Sequence, residues 1–296
     1  MSEYTRHRPS RGRVLVRRVF AVVAIAGILA GGAFAAAAFV RDEDPPPPPT
    51  TTTPLQTLRI IFPEGFTRRE MAQRVGAVRE IAIEERNVTP RLTSAGYLAA
   101  SARAKPPAEF RKDWAGKSLE GFLFPATYEF TKLTTSERLV RDQLEFFREQ
   151  WRTVNLRYAR SKNLTPYDVL IIASMIEKET VAPEERRLVS AVVYNRLRDG
   201  MVLGIDATLR YGLNVPGTEP LRVSHIESDS PYNTRRRAGL PPTPISNPGL
   251  ASIRAAANPA RVDYLYFVRK PDKVHHFFTA SEAEFEAKKC EYGFGC

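Results

Sequence analysis

Cysteine is scarce: 296 residues hold only Cys290 and Cys296, which excludes a disulfide-built scaffold and a cysteine zinc site. Histidine is scarce too, with His7, His225, His275 and His276 the full set. His7 lies in a basic tail, and the adjacent pair His275 and His276 has few ligand-type neighbours, so no metal is expected. The patterns GxSxG, HExxH and GxxxxGK[ST] do not occur. Their absence removes the α/β-hydrolase elbow, the zincin helix and the phosphate-binding loop. Clustered charge is missing from the body of the chain. The net charge is +11, but residues 1–18 hold six arginines against one glutamate. The rest is dispersed, with no recognition motif, so nucleic acid is not expected as a partner. A mean hydropathy of −0.31 excludes a polytopic membrane protein.

What remains is the composition of a folded protein, 43% hydrophobic and 26% charged, and its length suits one large domain or two modest ones. Residues Val19 to Val40 run without a charge, long enough for one membrane-spanning helix and longer than the apolar part of a signal peptide. Arg17 and Arg18 precede this run, and Asp42, Glu43 and Asp44 follow it. That asymmetry predicts a cytoplasmic N-terminus with the remainder outside the cell membrane. Residues 1–18 are then a cytoplasmic tail and 19–40 the span. Residues 41–54, with five successive prolines and four threonines, form an extended spacer.

Order begins near Leu58. LRIIF reads as a strand, and Thr67 to Glu70 has capping-box spacing before a helix. A second helix is expected over about 91–104, which makes a small α/β region at 55–115. From 116 to 296 the elements are mixed. LEGFLFPATYEF (119–130) is β-prone, 136–159 is helical, and Thr165 with Pro166 opens a helix through YDVLIIASMIEKET. Pro183 starts another helix, closed by Gly200. From Met201 the chain reads as loops, with a short helix at 252–257, strands at 264–268 and 276–279, and a charged helix from Ser281. The fold class is α+β.

Two carboxyls end the 166–180 helix. Glu179 continues the apolar stripe of Ile172, Met175 and Ile176, whereas Glu177 continues a face of smaller residues. An acid at the edge of an apolar face is partly desolvated, which raises its pKa toward what a general acid needs. Two ordinary glutamates near a helix end would carry the same pattern. Tyr128, Tyr194, Tyr211, Tyr232 and Tyr266 offer stacking faces, and Asn195, Asp206 and Asn233 offer directional hydrogen bonds, a set that suits a carbohydrate. Arg235, Arg236 and Arg237 form a solvated loop or an anion contact. Cys290 and Cys296 are close enough for a short disulfide loop, and free thiols fit the sequence equally.

The motifs LEGFLFPATYEF, ASMIEKET (173–180), VVYNRL (192–197), DATLRYG (206–212), SPYNT (230–234), GLPPTPISNPG (239–249), AAANPA (255–260), YLYFV (264–268) and the HxFxT-type segment at 275–279 occur in order. With them the chain resembles the YceG-like endolytic murein transglycosylases. The resemblance implies a LysM-like region at 55–115 and a YceG-like catalytic domain at 116–296. It implies cleavage of the β-1,4 bond between N-acetylmuramic acid and N-acetylglucosamine of peptidoglycan, leaving 1,6-anhydro ends during wall assembly. It places the catalytic glutamate in the EKET segment, at Glu179 with Glu177 as the alternative. The residue types read above give Asn195, Asp206, Tyr211, Tyr232 and Asn233 as the expected substrate contacts. A one-carboxyl mechanism needs no cofactor, and peptidoglycan synthases become candidate partners. The alternative function is a non-catalytic peptidoglycan-binding scaffold of the wall machinery.

Overall fold

A computed structural model describes residues 56–114, 116 and 118–295. The expected tail, membrane span and proline-rich spacer lie outside the described residues. Among the described residues no helix is long and apolar enough to cross a membrane.

The first strand, β1 (Leu58–Ile61), leads into α1 (Arg68–Arg86) through the capping box read from the sequence. Thr67 Oγ1 accepts from the Glu70 amide, and the Glu70 carboxylate accepts from the Thr67 amide at 2.6 Å. This pairing satisfies two of the donors that every helix start leaves open. Next come α2 (Ser94–Arg103), capped by Thr93, and the single turn α3 (Arg111–Trp114). The second strand, β2 (Thr127–Phe130), returns antiparallel to β1 with Ile60 opposite Tyr128. The strand–helix–helix–strand unit therefore runs on past residue 115 to Phe130.

The β-prone stretch 119–130 contributes only its last four residues to a strand. Its first half turns sharply, with Gly121 at φ +92°, where a Cβ would stand 2.7 Å from Pro244. Glycine alone meets both demands. The helix expected over 136–159 is two pieces, α4 (Ser136–Trp151) and α5 (Arg157–Ser161). Between them Asn155 turns its side-chain oxygen onto the Arg157 amide at 3.0 Å, at the start of the second piece.

The centre of the fold is α6 (Pro166–Glu179), with the predicted Thr165 cap and Pro166 in its first turn. Every residue from Val169 to Ile176 is buried, so this helix is apolar on all sides and must be surrounded. It packs along α7 (Arg186–Arg198) and against α8 (Asp206–Leu213) and α10 (Leu250–Ala257). The short α9 (Val223–Ile226) lies between α8 and α10 in sequence. Helix α8 falls in the region expected to be loops; it starts with no side-chain cap of its own. The chain closes with the hairpin β3 (Tyr266–Arg269) and β4 (His276–Thr279) and with α11 (Glu282–Glu291). Mixed helices and two small antiparallel sheets make an α+β fold. One core joins both expected regions, from Ile60, Met71 and Tyr97 through Phe122 and Phe147 to Ile172 and Ile253. Cys290 is disulfide-bonded, and no cysteine among the described residues is free.

Candidate active site

A cleft of about 1640 Å³ opens between the start of α1, the end of α6, α8 and the β3–β4 hairpin. Glu179, the last residue of α6, lines it and is half-buried. Its position follows from the helix: the apolar stripe that buries Ile172 and Ile176 ends one turn later at the cleft wall. Burial pushes the Glu179 carboxyl up to about 7, and the nearby Asp206 charge pushes the same way. The Arg269 and Arg235 guanidiniums and a hydrogen bond from the Ala207 amide oppose the rise. That amide belongs to the first turn of α8, so the start of this helix favours the charged form of Glu179. A carboxyl with these neighbours can hold a proton near neutral pH and, once it has given the proton up, has cations and a helix start to receive its charge.

Asp206 opens α8 beside it, its Oδ1 accepting from Arg235 Nε at 2.6 Å. Negative charge on Asp206 favours the protonated state of Glu179. Tyr211 and Tyr232 also line the cleft, their rings 5.3 Å apart and inclined at 61°. Gly212 permits this approach, because a Cβ there would lie 2.5 Å from Tyr232 Cβ. Both hydroxyls are engaged: Tyr211 donates to Glu120 Oε2 at 3.1 Å, and Tyr232 pairs with Thr243 at 2.8 Å. Their faces remain the part that can meet a ligand.

Asn195 and Asn233 stand apart from these residues and outside the cleft lining. The Asn195 amide donates to the Val262 and Tyr264 carbonyls, both at 2.9 Å, tying α7 to the approach of β3. Asn233 is fully buried and donates to the Ile226 and Ser228 carbonyls, both at 2.8 Å. It shapes the loop whose next residue, Thr234, holds the Ile205 amide at the start of α8. The donors of both asparagines go to backbone carbonyls, whereas Asp206, Tyr211 and Tyr232 line the cleft. Glu177 points elsewhere as well. Its Oε2 accepts from the Gly249 amide at 2.9 Å, at the start of α10. Each of the two glutamates thus serves a different helix, and only Glu179 reaches the cleft.

Glu120 was not singled out by sequence reasoning. It lines the cleft but is 3% exposed, and burial pushes its carboxyl up to about 7. Oε1 accepts from the Arg68 amide and from Asn247 Nδ2, both at 2.8 Å, and Oε2 accepts from Tyr211. The available signal was a single acid inside the apolar run LEGFLFP, since such acids are almost never buried unless paired. In the unfolded chain this carboxyl ionises near 4.5. The folded state therefore binds more protons between that value and about 7, so Glu120 loses the protein stability as pH rises through that window. Glutamine fits the same network, its oxygen facing the two N–H donors and its amide facing the tyrosine oxygen. Glu120→Gln should therefore melt at or above the wild-type temperature at pH 8 and lose that advantage at pH 4. A lower melting temperature at pH 8 would refute this reading.

Among the described residues no group of three or more His, Cys, Asp or Glu is placed to hold a metal ion. The lining is rich in cations, with Arg69, Lys178, Arg210 and Lys289 added to those around Glu179. Such a wall favours an extended anionic or hydroxyl-rich ligand.

The YceG-like family model matches residues 49–291. The chain is 32% identical over 258 residues to a protein of Streptococcus pneumoniae named endolytic murein transglycosylase, covering 80% of this chain and 45% of that one. It is 38% identical over 155 residues to a Bacillus subtilis protein of the same name, covering 51% and 42%. The chain thus spans less than half the length of these curated relatives. A crystal structure of a YceG-like protein from Listeria monocytogenes superposes with a TM-score of 0.62 at 28% identity, covering 78% of this chain and 76% of that one. With the family model covering most of its length, the chain belongs to the YceG-like family.

Proposed function

We propose that this protein is a peptidoglycan lytic transglycosylase that cuts the bond between N-acetylmuramic acid and N-acetylglucosamine within glycan strands. The observation that carries the reading is Glu179, a carboxyl raised to about 7 in the wall of a long cleft, with Asp206 and Arg269 beside it. The names of the relatives support the substrate class. A hydrolase flanks its bond with two carboxyls, but a lytic enzyme can use one. Protonated Glu179 gives its proton to the glycosidic oxygen as the C1–O4 bond breaks. The resulting carboxylate takes the proton of the muramic acid C6 hydroxyl, whose oxygen forms the new bond to C1. The nucleophile is held in the same sugar, so its effective concentration is high without a bound water. A scaffold that only bound glycan would have no use for a carboxyl kept protonated in its cleft.

The apolar run at 19–40, basic before and acidic after, supports a single-span anchor with the folded part outside the cell membrane. Residues 55–115 are read as the LysM-like part and 116–296 as the catalytic part.

Digestion of isolated peptidoglycan in ¹⁸O-labelled water tests the chemistry. The expected product is an unlabelled anhydromuramic end, lighter by one water than a hydrolysed end. Strands should be cut internally, giving fragments of mixed length. A labelled reducing end would mean a water nucleophile and would overturn the intramolecular mechanism.

A further inference from the structure

We propose that His276, aimed by Glu185, is a substrate-contacting residue of the cleft, accepting a hydrogen bond from an O–H or N–H of the glycan. The inference rests on the transglycosylase reading for its ligand, but its geometry is independent of Glu179. His276 begins β4 and lies opposite Arg269 of β3, and Phe267 lies opposite Phe278. Residues directly opposite in an antiparallel pair share a face, as do residues two apart on one strand. Phe267, Arg269, His276 and Phe278 therefore stand on one face of the hairpin. The ring contacts agree: His276 lies edge-on to Phe267 at 5.4 Å and 88°. Phe267, Arg269 and His276 all line the cleft.

The imidazole is buried and held from behind. Glu185, itself buried, comes from the turn that follows α6, so it is connected directly to the segment ending in Glu179. Its Oε1 accepts from the His276 backbone amide at 2.9 Å and its Oε2 pairs with Nδ1 at 2.7 Å. An ionised carboxylate can only accept, so Nδ1 must carry the proton. In the neutral ring Nε2 is then a lone-pair acceptor. It makes no hydrogen bond to any described residue, whereas Nδ1 is held by Glu185. A carboxylate fixing one nitrogen so that the other is presented in a set state is how proteins aim histidines elsewhere. Here the neighbours complete a sugar subsite: Phe267 offers an apolar face, Arg269 donors and Nε2 the acceptor.

The test separates contact from scaffolding. His276→Asn keeps an amide N–H for Glu185 and removes Nε2. Glu185→Gln keeps the side chain's shape, but its amide would donate to Nδ1 and turn Nε2 from acceptor into donor. Measured on the full chain with soluble glycan strands, both variants should raise KM about tenfold with a smaller change in kcat, the scale of one lost hydrogen bond to a partner left unpaired. Kd measured in the Glu179→Gln background, where no turnover occurs, should rise equally. Melting of His276→Asn should stay near wild type. Unchanged KM and Kd in folded His276→Asn would overturn the proposal, and unchanged values in Glu185→Gln would overturn the aiming role. If His276→Asn fails to fold, ¹⁵N-histidine labelling of the Glu179→Gln chain decides: the His276 Nε2 resonance should move when glycan is added, and a static resonance with glycan bound overturns the contact. Failure of the Glu179→Gln chain to bind glycan at all would sink both this proposal and the transglycosylase reading. Glu179-dependent cleavage untouched by His276 would sink this proposal alone.

Discussion

Glu179→Gln should abolish formation of anhydromuramic ends while leaving the melting temperature close to that of the wild type. Glutamine keeps an oxygen for the Ala207 amide but has no proton to give. General acid–base assistance is worth ~10²–10⁴-fold, and one group serving both halves of the reaction places the loss at the upper end. Glu177→Gln should retain activity. It weakens the contact that Glu177 makes with the Gly249 amide at 2.9 Å, a helix-start interaction worth roughly 1 kcal/mol. The pH profile supplies an independent check. In the proposed mechanism the acid form of Glu179 starts the reaction, so the rate should fall as pH rises past about 7. Asp206 raises this carboxyl and Arg269 lowers it, so Asp206→Asn should move the falling limb to lower pH and Arg269→Gln to higher pH. If Glu177→Gln proves the dead variant, the assignment along α6 is reversed. If neither variant loses activity, the acid lies on another element.

The helical framework was legible because its signals are local. Thr67 with Glu70, and Thr165 with Pro166, announce helix starts within four residues, and both caps are present. The separation of Glu179 from Glu177 was legible for the same reason, since 3.6-residue periodicity assigns each to a face. What could not be read was the use of distant partners. Helix α8 looked like loop because it starts with no side-chain cap of its own and is flanked by loops. Asn195 and Asn233 have the composition of substrate contacts, and only the fold shows that their amides donate to the backbone carbonyls at 262 and 264 and at 226 and 228. Glu120 and Asn247 are 127 residues apart and meet only in the fold. His276 stood in the sequence as half of a histidine pair. Its orientation depends on Glu185, 91 residues before it.

Asn247→Ala should produce the largest loss of stability of any single change near the cleft. Asn247 is fully buried, and its amide makes all four hydrogen bonds open to it. Oδ1 accepts from the Gly121 and Leu123 amides at 2.9 and 3.0 Å. Nδ2 donates to the Phe66 carbonyl at 2.9 Å and to Glu120 Oε1 at 2.8 Å. These partners come from the turn before α1 and from the sharp bend at Gly121, so one side chain fastens the two regions beneath the cleft floor. Alanine would strand two N–H groups and take one donor from the buried Glu120 carboxyl, while the Phe66 carbonyl keeps the backbone amide of residue 247 at 2.9 Å. Each stranded group costs ~1–3 kcal/mol, and water entering the space would recover part of it, leaving a net of about 4 kcal/mol. For a folded part of this size, ~2–4 °C per kcal/mol implies a fall in melting temperature of roughly 10 °C. Asn247→Asp should be worse at pH 8, because the new carboxylate would face Glu120 and the Phe66 carbonyl with nothing to donate. It should recover in part near pH 5, where a proton shared between the two acids restores one hydrogen bond. A fall below ~3 °C in Asn247→Ala, less than about 1.5 kcal/mol by the same conversion, would mean that the strand–helix–helix–strand unit is held to α6 by its apolar core rather than by this amide.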